Sequence, residues 1–146
     1  MCLILKKEVQ PNDAEIAKSD IVCYKMIGKK ISQSSGIESY FTPFTKAWVD
    51  KRIIHGTLDF TPNPLTRRQR ECSSCLIAEG WIHTYKTLDG ALKAVRCYFS
   101  HEGYILEVYK CVIPKSTRYF EGEDQFSAPA FASDKIRFIE KVSSEK

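Results

Sequence analysis

The sequence predicts an α+β domain: a mainly antiparallel sheet with one central helix and one or two minor helices. Three observations carry this. Most apolar stretches are short, rich in β-branched or aromatic residues, and bounded by turn residues. One stretch, "TLDGALKAVRCYF", has a firm helical period. Direct strand-to-strand links outnumber helical crossovers, which favours antiparallel pairing over a doubly wound parallel sheet.

The elements follow in order. "CLILKK" reads as a short strand, and "PNDAEIAKSD" as a turn or one or two helical turns capped by Asn12 or Asp13. "DIVCYKMI" is a strand, and the polar "GKKISQSSG" after it is a loop. "IESYFTPF" is a strand that stops at Pro43, because proline lacks the N–H a ladder needs. A strand is expected over residues 51–60, at the end of "AWVDKRIIHGTLDF". "TPNPLTRRQRE", with two prolines and three arginines, marks an exposed loop near residues 61–74. "GWIHTYK" is a strand after the Gly80 turn.

The helix follows. Thr87 is its N-cap, and Asp89 in the first turn suits the helix dipole. Leu88, Ala91, Leu92, Val95 and Phe99 share one face, and "SHEG" ends it. "YILEVYKCVIP" is a long strand closed by Pro114, and "TRYFEG" a short strand or bend. In "DKIRFIEKV", Ile136, Phe138 and Val142 bracket one face, with Lys135, Arg137 and Lys141 on the other.

Bulk properties bound the function. A length of 146 residues fits one domain spanning 1–146. An apolar fraction of 43% and an aromatic fraction of 12% supply a real core and exclude disorder for most of the chain. The net charge of +4 permits an acidic partner without demanding one. The apolar start of "MCLILKKEVQ" is too short for a secretory signal, and no run approaches the roughly 20 apolar residues of a membrane helix. The expectation is a cytoplasmic protein without a membrane partner. Its six cysteines are then free thiols.

Candidate chemistry is sparse. Cys72 and Cys75 form a C-x-x-C pair, but a structural zinc needs two more ligands, and His55, His83 and His101 form no H-x-x-x-H. No metal is assigned. Arg67, Arg68 and Arg70 could grip phosphates in fork geometry, which makes nucleic acid a partner class, ranked last. There is no G-x-S-x-G, Walker loop or G-x-G-x-x-G, and Glu102, Glu107, Asp124 and Asp134 make no clean pair in sequence.

Two resemblances remain. "HGT" at His55-Gly56-Thr57, then "GWIHTYKTLDGALKAV", then "FASDKIRFIEKV" is an order that resembles the ADP-ribosyltransferase fold and its relatives, including RNA 2′-phosphotransferases. That resemblance implies NAD as cofactor: His55 and Gly56 holding the nucleotide, Tyr85 stacking on nicotinamide, and Asp134 in the carboxylate role. Asp134 stands where that family has Glu, and the second motif is led by tryptophan and histidine. The segments "GWIHTYKTLDGA" and "YKCVIPKSTRYFEG…FASDKIRF" are also similar to a group of small bacterial and phage proteins that offer no activity to carry over. The first-ranked expectation is a binding or interaction domain with a nucleotide or protein partner and no established cofactor. An ADP-ribosyltransferase-like enzyme ranks second, and whether the chain is an enzyme stays open.

Overall fold

A computed structural model describes residues 3–5, 14–32, 34–42, 47–49, 56–59, 75–77, 81–97, 105–124 and 127–144. Their strands are β1 (Leu3–Leu5), β2 (Glu15–Ile16), β3 (Ile21–Ile31), β4 (Glu38–Thr42), β5 (Ala47–Val49), β6 (Thr57–Asp59), β7 (Cys75–Ile77) and β8 (Ile82–Tyr85). After helix α1 (Leu88–Cys97) come β9 (Ile105–Ile113), β10 (Arg118–Glu123), β11 (Pro129–Ser133) and β12 (Lys135–Ser144). Every pairing among them is antiparallel, in the order β6-β12-β9-β3-β8-β11-β10-β1-β7, with β4 on β3, β5 on β4 and β2 on β10.

This corrects the expected α+β class. The molecule is β-rich, and α1 is the one helix among the described residues. Glu15 and Ile16, read as part of a helical turn, are instead extended and pair with Tyr119 and Arg118. Sheet pairing, a long-range gain, overrides local propensity at these two residues, while Asn12 and Asp13 lie outside the described residues. The supposed loop "GKKI" is likewise strand: Gly28, Lys29, Lys30 and Ile31 pair with Phe41, Tyr40, Ser39 and Glu38. The reversal comes later, where Gly36 takes a φ of 69° and its N–H bonds the Ser32 carbonyl at 2.8 Å. "TRYFEG" is a full strand.

β11 and β12 are separated only by Asp134, yet β11 pairs β8 while β12 pairs β9. The ring β12-β9-β3-β8-β11 therefore closes through one bent strand, as in a small barrel. The corner is clamped by Arg118, whose Nε donates to Asp134 Oδ2 at 3.1 Å and whose carbonyl accepts the Asp134 N–H at 3.3 Å.

The two faces of the sheet carry separate cores. Cys23, Ile27, Ile82, Tyr109, Cys111, Ile113, Phe131, Ile136 and Phe138 meet on the inner face. On the outer face Met26, Trp81, Tyr85, Leu106, Val108, Phe120, Ala130 and Ala132 pack with Ala91, Ala94 and Val95 of α1. The alanines keep the helix close to the sheet. Leu88 and Leu92 join this cluster, as the helical period predicts. The Gly90 N–H donates to Thr87 Oγ1 at 3.0 Å, so Thr87 is the cap. Thr87→Ala is expected to cost about 1 kcal/mol. Chemical denaturation reads this directly, and an unchanged midpoint would show that the cap is dispensable.

β12 departs from simple alternation. Phe138 faces Cys111 and Lys141 faces Tyr109, with register shifts between Phe138 and Glu140 and between Lys141 and Ser143. The first shift leaves Ile139 exposed and turns Lys141 to the inner face, beside Ile136 and Phe138. Val142 then packs on the outer core. The face assignment made from alternation is thus reversed for both residues.

Candidate functional site

Inner-face positions follow from register. Cys23 faces Cys111, Lys25 faces Tyr109, Ile27 faces Glu107, and Lys29 faces Tyr40. Directly opposed residues share a face, so one wall runs from apolar Ile21 and Ile113, past Cys23, Lys25 and Cys111, to Glu107, Lys29, Tyr40 and Glu38. The interior is apolar at one end and polar at the other.

At the polar end Glu107 is 3% exposed. Tyr109 donates its hydroxyl to Glu107 Oε2 at 2.9 Å, and Tyr40 donates to Glu38 Oε2 at 2.8 Å. The Lys29 ammonium stands between the two acids, 3.6 Å from Glu107 Oε1 and 3.5 Å from Glu38 Oε1. Lys141, brought in by the bulge, lies 3.9 Å from Glu107 Oε2. Burial, reinforced by the neighbouring carboxylates, pushes the Tyr40 phenol up to about 12 and raises that of Tyr109 still further, so both stay protonated donors. Lys141 itself is half-exposed.

Deeper in, Lys25 is 1% exposed and its Nζ donates to the His83 carbonyl at 2.9 Å. Burial lowers its pKa to about 8. Cys23 and Cys111 flank it as free thiols. Burial pushes Cys23 up to about 12 and Cys111 well above the usual thiol range, so neither is a ready nucleophile.

The residues expected from the nucleotide motif lie elsewhere. Tyr85 is on the outer face, opposite Ala130 and Tyr24, and its hydroxyl donates to Asp124 Oδ2 at 3.1 Å. Asp124 also accepts the Ala128 N–H, so Tyr85 anchors the β10–β11 turn. Asp134 is at the barrel corner with Arg118. The Gly56 carbonyl accepts the Phe138 N–H at 2.8 Å. Ala130, Asp134 and Phe138 lie along one strand, four residues apart, roughly 13 Å for each step of four. Tyr85, Asp134 and Gly56 are therefore spread along β11–β12 and are not gathered around one cleft. His55, Arg67, Arg68, Arg70 and Cys72 lie outside the described residues, and Cys75 enters only through its backbone pairing with Leu5.

Sequence reading passed over Glu38, Tyr40, Tyr109 and Lys141, and left Glu107 without a partner. One signal was present. In "ILEVYKCVI" both alternating faces are largely apolar, which marks a strand buried on both sides, and Glu107 interrupts one of them. Compared with protein-family models, curated proteins and solved structures, the chain matches none. No helix among the described residues is long and apolar enough to cross a membrane.

Proposed function

We propose that the chain is a binding domain whose ligand site is the polar end of the barrel interior, at Glu107, Lys29, Glu38, Tyr40, Tyr109 and Lys141. The observation that carries this reading is the almost fully buried carboxylate of Glu107, tied by ion pairs to side chains that lead out to solvent. Burying a charge in this way gives little stability compared with an apolar filling. Convergent polar groups held on paired strands are what a ligand site needs. The tyrosines are fixed donors and the lysines are movable charges. The reading extends the binding role expected from the sequence. The NAD reading draws no support from the positions of Tyr85, Asp134 and Gly56. Two free thiols directly opposed across β3 and β9 suit a reducing, cytoplasmic setting.

Amide-resolved NMR titration with small cationic, anionic and neutral fragments tests it. Binding fragments are expected to perturb Lys29, Tyr40, Glu107 and Tyr109 first, and Glu107→Gln should change their affinity at least tenfold, downward for cations and upward for anions. Shifts confined to the outer face, or affinities indifferent to Glu107→Gln, would sink the proposal.

A further inference from the structure

We infer that Cys23 and Cys111 form a redox-sensitive staple: a small peroxide closes them into a disulfide that ties β3 to β9 on the inner face of the sheet. Both thiols are free and fully buried, and they face each other directly across the two strands. Opposed residues of an antiparallel pair have Cα atoms about 4.5 or 5.5 Å apart, according to whether the pair is hydrogen-bonded. Both values lie within the roughly 4.4–6.8 Å that a disulfide spans. The two side chains share one face and one apolar cluster, so neither strand has to rotate to join them. Their Cβ atoms start about 4.5–5.5 Å apart and close to about 3.5–4.5 Å in a disulfide. Bond formation therefore draws the middle of β3 toward β9.

The surroundings are more polar than two apolar fillers need. Lys25 lies two residues from Cys23 on the same face, opposite Tyr109. Burial dominates and raises Cys23, while a hydrogen bond from the buried Thr84 hydroxyl and the Lys25 charge favour its thiolate. Burial and the neighbouring Cys23 raise Cys111, while the Lys25 charge and backbone N–H favour its thiolate. One lysine thus serves both sulfurs. Burial keeps the pair slow to react, so it stays reduced under ordinary reducing conditions and closes under sustained oxidant.

The step balances with hydrogen peroxide. The Cys23 thiolate attacks one peroxide oxygen, the O–O bond breaks, and the departing hydroxide leaves as water with the thiol proton. The Cys111 thiolate then attacks the sulfenic sulfur. The S–S bond forms, the S–O bond breaks, and hydroxide carries off the Cys111 proton as a second water. Two thiols give up two electrons, and the peroxide takes them.

The test treats the folded full-length chain with hydrogen peroxide near pH 7, alkylates the remaining thiols in denaturant and maps peptides by mass spectrometry. A linked Cys23–Cys111 peptide, lighter by two hydrogens than the two thiol peptides together, is expected, and dithiothreitol should remove it. Amide signals of Tyr24 and Lys110 should shift with its formation. Lys25→Met should slow closure several-fold, and an unchanged rate would overturn the part given to that lysine. Peroxide should raise the urea midpoint of wild type and leave that of Cys111→Ser unchanged. The peptide map of wild type decides alone if that variant does not fold. Recovery of Cys23 and Cys111 as alkylated thiols after other cysteines have oxidised would overturn the inference. So would their oxidation to sulfinic acids without a mutual link, or a link that forms only when peroxide is added to the chain unfolded in urea.

Discussion

Phe138→Ala is expected to destabilise the protein by about 4 kcal/mol, within the usual range for truncating a buried phenylalanine. Phe138 is buried on the inner face, opposite Cys111, and its ring meets Tyr109 edge-on with centroids 5.6 Å apart. The substitution opens a cavity between β9 and β12 and also removes the support that holds Tyr109 against Glu107. Two readouts should therefore move together. Urea unfolding should show the lost stability, and fragment affinity at the polar end should fall even below the midpoint of unfolding. Phe138→Leu should recover most of the stability but little of the affinity, because leucine fills volume without an aromatic edge. A loss under about 1 kcal/mol for Phe138→Ala would mean that the inner face is not a closed core.

The link between Phe138 and Glu107 also explains how much of the molecule was legible in advance. Long strands with continuous apolar content, such as Ile105–Ile113, announce themselves, as does the helix with its Thr87 cap. These signals are local. The position of Lys29 was not legible, because "GKK" looks like a turn until Glu38–Thr42 returns to pair with it. Nor was that of Lys141. Alternation assigns it to the solvent side, and only the extra residue at Ile139 rotates it inward. The closure of the sheet at Asp134 depends on strands distant in sequence, and Asp134 itself looks as much like a catalytic acid as a corner clamp. Glu107 was visible as an acid in an apolar run. Its partners come from β3, β4 and β12, and no spacing rule connects them. The fold was therefore partly readable element by element, whereas the candidate site arises from register.

Lys25→Met is expected to stabilise the protein by about 1–2 kcal/mol near pH 7, with the gain fading as pH rises. The lysine is buried on the inner face, and its pKa falls from 10.5 to about 8 because burial penalises the charged amine. Below pH 8 the amine is charged in both folded and unfolded chains. That charge costs the folded state on the order of 3 kcal/mol, at about 1.4 kcal/mol for each step of one in pKa. Methionine has a similar reach and no charge, so it removes this penalty. It also gives up the hydrogen bond to the His83 carbonyl, worth about 1 kcal/mol. Between about pH 8 and 10.5 the folded wild type sheds its proton while the unfolded chain keeps it. The unfolded state then binds more protons, so this lysine makes wild-type stability rise with pH across that window. Cys23 and Tyr40 act in the opposite sense, because burial holds their protons in the folded state up to about 12. They are present in both proteins and largely cancel in the difference. Unfolding free energies of the two proteins measured from pH 6.5 to 10.5 should therefore converge from a clear gap in favour of Lys25→Met. A constant gap across that range would show that Lys25 does not titrate there. A gap in favour of wild type near pH 7 would show that its charge is fully compensated inside the barrel.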